Sequence, residues 1–203
     1  MINATLPLQM KVLEKSSLWH YTLQLNHKKV RTKSMVELEV GAQYLAELYT
    51  YKGGVVHFKH LVKCPKLHFF EEGLALIVGI LEENLDFKNT IISELIKCTN
   101  QEKYQIFKEM LFASFENIYH IPFVFENKAC VFQMKKNEQV LELYLYFSVF
   151  GALKILYETN SVSVFSPFPK VCHFLSKHLQ YKVLQQDNIK PLFEFGALFD
   201  FKG

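Results

Sequence analysis

Apolar and polar residues alternate near both ends of the chain and follow a three- to four-residue spacing in its middle. In the first third, Trp19, Tyr21, Leu23 and Leu25 share one side of a period-two run, the spacing of a half-buried β-strand. Shorter runs of this kind cover Lys11–Glu14, Val30–Lys33, Tyr44–Thr50 and Val55–Leu61. Between them stand Ser16-Ser17, Asn26-His27-Lys28-Lys29, the loop at Gly41 and Lys52-Gly53-Gly54. These are turn formers, because Gly and Asn accept left-handed backbone and Ser and Asn side chains bond nearby main chain. Five short strands joined by tight turns predict a small β-barrel of the OB or SH3-like kind over residues 1–65, where closure removes exposed edges.

The period changes over residues 66–120. Gly73–Leu81 (GLALIVGIL) carries no polar side chain, so Leu74–Leu81 is expected to be a helix buried on all sides. It is far shorter than the ~20 residues needed to span a bilayer, so membrane insertion is not expected. Asn84 or Asp86 can cap a second helix whose apolar face uses Phe87, Ile91 and Leu95, joined by Ile92 and Ile96. Thr99-Asn100 breaks it. Gln101–Tyr119 then places Ile106, Phe107, Met110, Leu111, Phe115 and Ile118 in one stripe, opposite Glu102, Lys108, Glu109 and Glu116. Phe107 and Leu111 lie to one side of the Ile106–Met110 line. The stripe is therefore wide enough to serve in part as a partner-binding surface (Ile106, Phe107, Met110, Leu111, Phe115); the competing reading is a wholly internal face. Ile121-Pro122 is expected to end the helical zone, since the residue before proline is pushed out of helical backbone.

Alternation resumes from Phe123. Phe123–Phe125 and Ala129–Lys135 read as strands around the turn Glu126-Asn127-Lys128. The run from Val140 continues through Gly151 to Leu153 and Ile155, turns at Glu158-Thr159-Asn160-Ser161, and returns as Val162, Val164 and Phe165. That is an antiparallel hairpin, and a glycine inside it marks a bulge or a close backbone approach. Ser166-Pro167-Phe168-Pro169 can open a helix reaching about Leu179, with Val171, Phe174, Leu175 and His178 along one side. The tail Ile189–Phe201 is apolar, punctuated by Pro191 and Gly196. The fold class predicted is α+β: the barrel, a helical middle segment, and a C-terminal α+β domain with an antiparallel sheet, the last two filling residues 66–203.

Composition narrows the function. Half of the 203 residues are apolar and 19 are Phe, which argues for a packed core rather than disorder. The net charge is only +3, and of 23 basic residues Arg31 is the one arginine, so the usual bidentate reader of phosphate and guanine is nearly missing and nucleic acid is a poor fit. The alternative function is a small OB-type binder of single-stranded nucleic acid, using the basic loop Lys28–Lys33 with Trp19 or Tyr21 as a stacking face. Cys64, Cys98, Cys130 and Cys172 form no C-x-x-C pair and read as buried thiols of a reducing compartment. The start MINATLPLQMKVLEK lacks a basic segment leading into an apolar core, so no cleavable signal is expected and the location predicted is cytoplasmic.

No pattern points to catalysis, a metal or another cofactor. His57 and His60 in a strand point to opposite faces unless a bulge intervenes. His173 and His178 are five apart on a helix, which is not the i, i+4 spacing of helical zinc ligands. Cys172-His173 has no third partner at a supporting spacing. Glu71-Glu72 and Glu82-Glu83 bracket the apolar run 73–81 and read as its solvated ends.

One stretch resembles a known family. Residues 139–180 are similar to the C-terminal domain of bacterial flagellar hook-length control proteins, whose pattern is about L-x-L-x-x-P-x-L-G-x-(V/L)-x-(V/I), a turn, a strand ending in Phe, and a helix. Leu143, Leu145, Phe150, Gly151, Leu153, Ile155, Val162, Val164 and Phe165 correspond, with Ser148 in place of the proline and Phe150-Gly151 in place of Leu-Gly. Gly41-Ala42-Gln43 loosely matches an L-x-x-G-Q-x step in the N-terminal module of such proteins. The family domain acts in switching the substrate specificity of the flagellar type III export gate. These positions are mostly core ones, so packing rather than gate contact is their expected role. The long Pro/Gln-rich region of the ruler proteins has no counterpart here. The resemblance therefore implies a shortened relative, or an accessory protein such as a co-chaperone that binds a flagellar export or chaperone protein.

Overall fold

The computed structural model describes residues 5–50 and 56–195. The turn expected at Lys52-Gly53-Gly54 and the tail from Gly196 onward lie outside the described residues.

The N-terminal module holds β1 (Leu8–Ser17), β2 (His20–Leu25), β3 (Lys28–Lys33), β4 (Gln43–Thr50) and β5 (Val56–Lys63). β1 continues through Ser16-Ser17, and the first turn falls at Leu18-Trp19 instead. The strands are antiparallel in the order β3-β2-β1-β4-β5, and among the described residues β3 does not pair with β5. This corrects the expectation of a closed barrel. β3 has a physical reason to stay an edge: Lys28, Lys29, Arg31 and Lys33 crowd its six residues, and charged edge strands resist further pairing. One side of the sheet still closes over a core of Met10, Val12, Tyr21, Leu23, Leu25, Leu38, Tyr44 and Ala46. The Tyr21 and Tyr44 hydroxyls accept the backbone N–H groups of Leu38 and Glu39, which ties the β3–β4 loop down over that core.

Three helices follow: α1 (Gly73–Leu81), α2 (Phe87–Lys97) and α3 (Gln101–Phe115). Asp86 and Asn100 accept the N–H groups of Asn89 and Lys103 and so cap α2 and α3. α3 ends four residues before Tyr119, because Asn117 takes positive φ and Ile118 already opens the next strand. That strand is β6 (Ile118–Phe125), which runs straight through Ile121-Pro122. The proline is tolerated because β6 is the edge of its sheet and needs no outward N–H.

The second sheet adds β7 (Lys128–Lys136), β8 (Val140–Phe147), β9 (Gly151–Glu158), β10 (Ser161–Ser166) and β11 (Lys182–Gln185), the last reached through α4 (Pro169–His178). Its order is β11-β10-β9-β8-β7-β6, antiparallel except for the parallel β10–β11 pair. The register sets Ile121 and Phe123 beside Phe132 and Cys130, Leu143 and Leu145 beside Ile155 and Leu153, and Val164 beside Ile155 and Val183. All lie on one face. Phe70, Ile77, Ile80, Phe87, Ile91, Ile106, Phe107 and Met110 cover the β6–β8 part of it, and Phe168, Val171 and Leu175 of α4 cover the β9–β11 part. Each such side chain taken from water contributes about 1.5–3 kcal/mol.

Opposite this face, Val131, Tyr144, Tyr146 and Ala152 are buried, and Leu6, Leu45, Val62, Cys64 and Leu67 share their apolar cluster. The N-terminal module thus meets the second sheet through apolar side chains as well as through the chain itself.

Candidate interaction surface

α3 turns its stripe inward. Ile106, Phe107 and Met110 are 3%, 6% and 0% exposed, and Phe107 meets the Phe70 ring edge-on at 5.6 Å. Leu111 is half-buried at the rim of the same core. Phe115 alone of the five expected contact residues is exposed, and the Lys88 ammonium lies 4.7 Å from its ring centre. The second sheet accommodates the whole width of the stripe, because β6, β7 and β8 together present a broad apolar face. The helix therefore does not offer Ile106, Phe107 and Met110 to a partner.

The expected solvated face of α3 is also less simple than its charges imply. The Glu109 side chain is only 13% exposed. His68 Nε2 lies 3.1 Å from Glu109 Oε2, and Gln105 Nε2 donates to Glu109 Oε1 at 2.9 Å. Burial works against ionisation of Glu109, but the hydrogen bonds from His68 and Gln105 outweigh it and hold its pKa below the ordinary value. The same hydrogen bond raises the His68 pKa. His120 Nε2 is 3.9 Å from the same oxygen, Glu109 Oε2, and burial pushes the His120 pKa down to about 4.

This trio leads to a buried amide that the sequence reading passed over. Gln133 is 1% exposed in the middle of β7. Its Oε1 accepts the N–H groups of Leu192 (2.6 Å) and Phe193 (3.2 Å), and its Nε2 donates to the Phe193 carbonyl (2.8 Å) and to His120 Nδ1 (2.8 Å). Two backbone donors fix the amide's orientation, so His120 Nδ1 must be the acceptor and its proton sits on Nε2, toward Glu109. A lone Gln within Cys130–Met134, apolar at every other position, was the signal for it. Glu47, a lone carboxylate inside Tyr44–Tyr49 and 0% exposed, is a second residue of this kind.

His60 sits at a β-bulge with φ of 52°, so the simple opposite-face geometry of His57 and His60 does not apply. Among the described residues, no three His, Cys, Asp or Glu side chains are placed to hold a metal ion. Burial raises the thiol pKa of Cys64, Cys130 and Cys172, which makes them poor nucleophiles, and all four cysteines are free. The Phe174 ring lies tilted against His178, with ring centres 4.6 Å apart.

The residues that carry the family resemblance lie in β8, β9 and β10, except Phe150, which stands in the β8–β9 turn. None of Leu143, Leu145, Phe150, Gly151, Leu153, Ile155, Val162, Val164 and Phe165 is exposed. Gly151 has φ of +73°, and a Cβ there would lie 2.7 Å from Phe168 Cε2 and 3.2 Å from Leu45 Cδ1. Both conditions favour glycine.

A run of exposed apolar side chains lies on α1. Gly73, Ile77 and Ile80 face inward, whereas Leu74, Val78 and Leu81 remain 48%, 45% and 59% exposed. This corrects the expectation of a helix buried all round: α1 lies over the edge strand β6, where the sheet ends and nothing among the described residues forms a second layer outside it. No helix among the described residues is long and apolar enough to cross a membrane.

Comparison with protein-family models, with curated proteins and with solved structures finds no match for this chain.

Proposed function

We propose that this chain is a non-enzymatic, cytoplasmic binding protein of the flagellar assembly and type III export pathway, with an accessory or co-chaperone role. The observation that carries the reading is the β8–β9–β10–α4 unit. Its glycine stands at positive φ where the hook-length control pattern has one, closely approached by Phe168, the N-cap residue of α4, and none of the corresponding apolar positions is exposed. A binding rather than catalytic role is favoured by the direction in which burial moves the candidate nucleophiles and acids. The Cys64, Cys130 and Cys172 thiols are pushed up, and the Tyr144 hydroxyl is likewise moved far above its ordinary range.

The test is capture of the tagged full chain from a flagellated bacterium, followed by binding assays with each recovered flagellar export or chaperone protein. Saturable binding to at least one of them is the expected result. A folded bait that recovers none overturns the assignment. Retention of a single-stranded oligonucleotide with a steep loss on adding salt would instead favour the nucleic-acid alternative.

A further inference from the structure

We propose that the outward face of α1 docks an amphipathic helix of a second protein, one whose apolar stripe lies between basic ends. Leu74, Val78 and Leu81 stand at i, i+4 and i+7, a single stripe about 10 Å long. All three are exposed. Folding does not require apolar groups there, because a helix resting on a sheet ordinarily turns charged and polar residues outward. α2 and α3 turn Lys88, Asn89, Glu94, Glu102 and Lys103 outward, and their exposed apolar groups, Ile92, Ile96, Tyr104 and Phe115, are interspersed with these rather than set in one uncharged run as on α1. Ala75, also exposed, keeps one flank of the stripe low enough for another backbone to approach.

Charge selects the occupant. Glu71 and Glu72 stand at the start of the stripe, Glu82 and Glu83 at its end, and all four are exposed. Among the described residues, Glu72 alone of the four forms an ion pair, with Lys103. A second copy pairing through α1, parallel or antiparallel, would set glutamate pairs against glutamate pairs. An anionic membrane would be repelled by the same groups. A helix with Lys or Arg at both ends matches instead, and Glu72 and Glu82 are about 15 Å apart along the axis, so its cations should stand about ten residues apart. Its apolar residues should fall between them at i, i+3 or i+4, and i+7. This inference does not rest on the flagellar reading and holds whatever pathway supplies the partner.

The experiment pans a displayed library of amphipathic helices of about 18 residues, long enough to hold helical structure, against the purified full chain. The library has end residues varied among Lys, Glu and Gln. Lys-ended helices should be enriched on the wild type, and a selected peptide should bind Val78→Glu at least ~10-fold more weakly, a difference of about 1.4 kcal/mol. Because Val78 is exposed, that variant should keep its circular dichroism; Leu81→Gln serves as a second variant with the same expected direction. Enrichment of Glu- or Gln-ended helices, equal binding to the variants, or no enrichment would overturn the proposal. So would a dimer, or binding to phosphatidylserine vesicles, that Val78→Glu abolishes, since the face would then belong to a second copy or to a membrane.

Discussion

The Glu47 side chain accepts the backbone N–H of Lys170 at 2.7 Å, although the two residues lie 123 positions apart. Glu47 belongs to β4, and Lys170 is the second residue of α4. The carboxylate thus serves as a cap supplied in trans by the other module, at the helix end where an acidic group is favoured. The contact is reciprocal: Lys170 Nζ donates to the Leu48 carbonyl at 2.6 Å and lies 4.5 Å from the Tyr49 ring centre. The Tyr49 hydroxyl donates to Glu47.

This relationship makes the stability of one module depend on the other. Glu47→Ala removes the carboxylate that accepts from both the Lys170 N–H and the Tyr49 hydroxyl at this part-buried contact and should lower stability by about 1–3 kcal/mol. Trp19, the single tryptophan, reports on the N-terminal sheet, while circular dichroism reports on the whole chain. In urea the two signals should move together in the wild type and shift to the same lower midpoint in Glu47→Ala. Two separate transitions, with the variant changing neither, would mean that residues 1–65 and 66–203 fold as independent units.

Two glycines are required for different reasons. At Gly151 any other residue meets both an unfavourable φ and the Phe168 ring, so Gly151→Val should cost about 3 kcal/mol. At Gly73 the obstacle is backbone: a Cβ would lie 1.9 Å from the Pro122 carbonyl oxygen, which cannot rotate away as a side chain can. Gly73→Ala should therefore lift α1 off β6 and cost about as much, despite alanine's better helix propensity. Thermal melts that leave either variant at the wild-type midpoint would contradict these contacts.

Strand and helix identity were legible where the period was long and unbroken. The hairpin around Glu158-Thr159-Asn160-Ser161 and the cap at Asp86 follow from local chemistry. β11 was not legible, because four residues, Lys182–Gln185, are too few to show a period and gain their place only by pairing with β10. Pro122 misled for a related reason. Its local preference against helix is real, yet whether it ends a zone or sits in a strand depends on β6 being an edge, which is a tertiary fact. The apolar runs of α1 and α3 show that composition names an apolar surface but not what covers it. The sheet hides Met110, and nothing described covers Leu81. Gln133 and Glu47 could be noticed as polar residues in apolar strands, but their partners lie 59 and 123 positions away.

The contrast within α3 is directly measurable. Phe107→Glu places a charge in the core beside Phe70 and should leave the chain unfolded or molten, since an unpaired buried charge is among the largest single-residue penalties. Phe115→Glu at the exposed end should keep the fold within about 0.5 kcal/mol, because the new carboxylate faces Lys88. Equal tolerance of both substitutions would place the stripe on the surface after all.

The His68–Glu109–His120 group should give the protein a defined weakness in mild acid. His120 is held neutral by burial, with a folded pKa of about 4 against an ordinary 6.5. Between those values the unfolded chain binds a proton at His120 that the folded chain refuses, so stability must fall as pH drops from 6.5 toward 4. The full loss is about 3 kcal/mol at about 1.4 kcal/mol per pH unit. His68 acts in a different window: its raised pKa favours the folded state below 6.5 and that contribution disappears as pH climbs through the raised value. Glu109, with a depressed pKa, begins to lose its contribution only below its ordinary 4.5. The interval from about 6.5 to 4.5 therefore isolates His120. Protonation there also puts a hydrogen on Nδ1, where Gln133 Nε2 donates, and so sets two donors against each other at the amide that holds Leu192 and Phe193. Urea midpoints measured across this interval should decline in the wild type and decline much less in His120→Gln, which cannot take up the proton. An NMR titration that places the His120 transition near 6.5, or an unchanged slope in His120→Gln, would show that the imidazole is not the group that limits stability in acid.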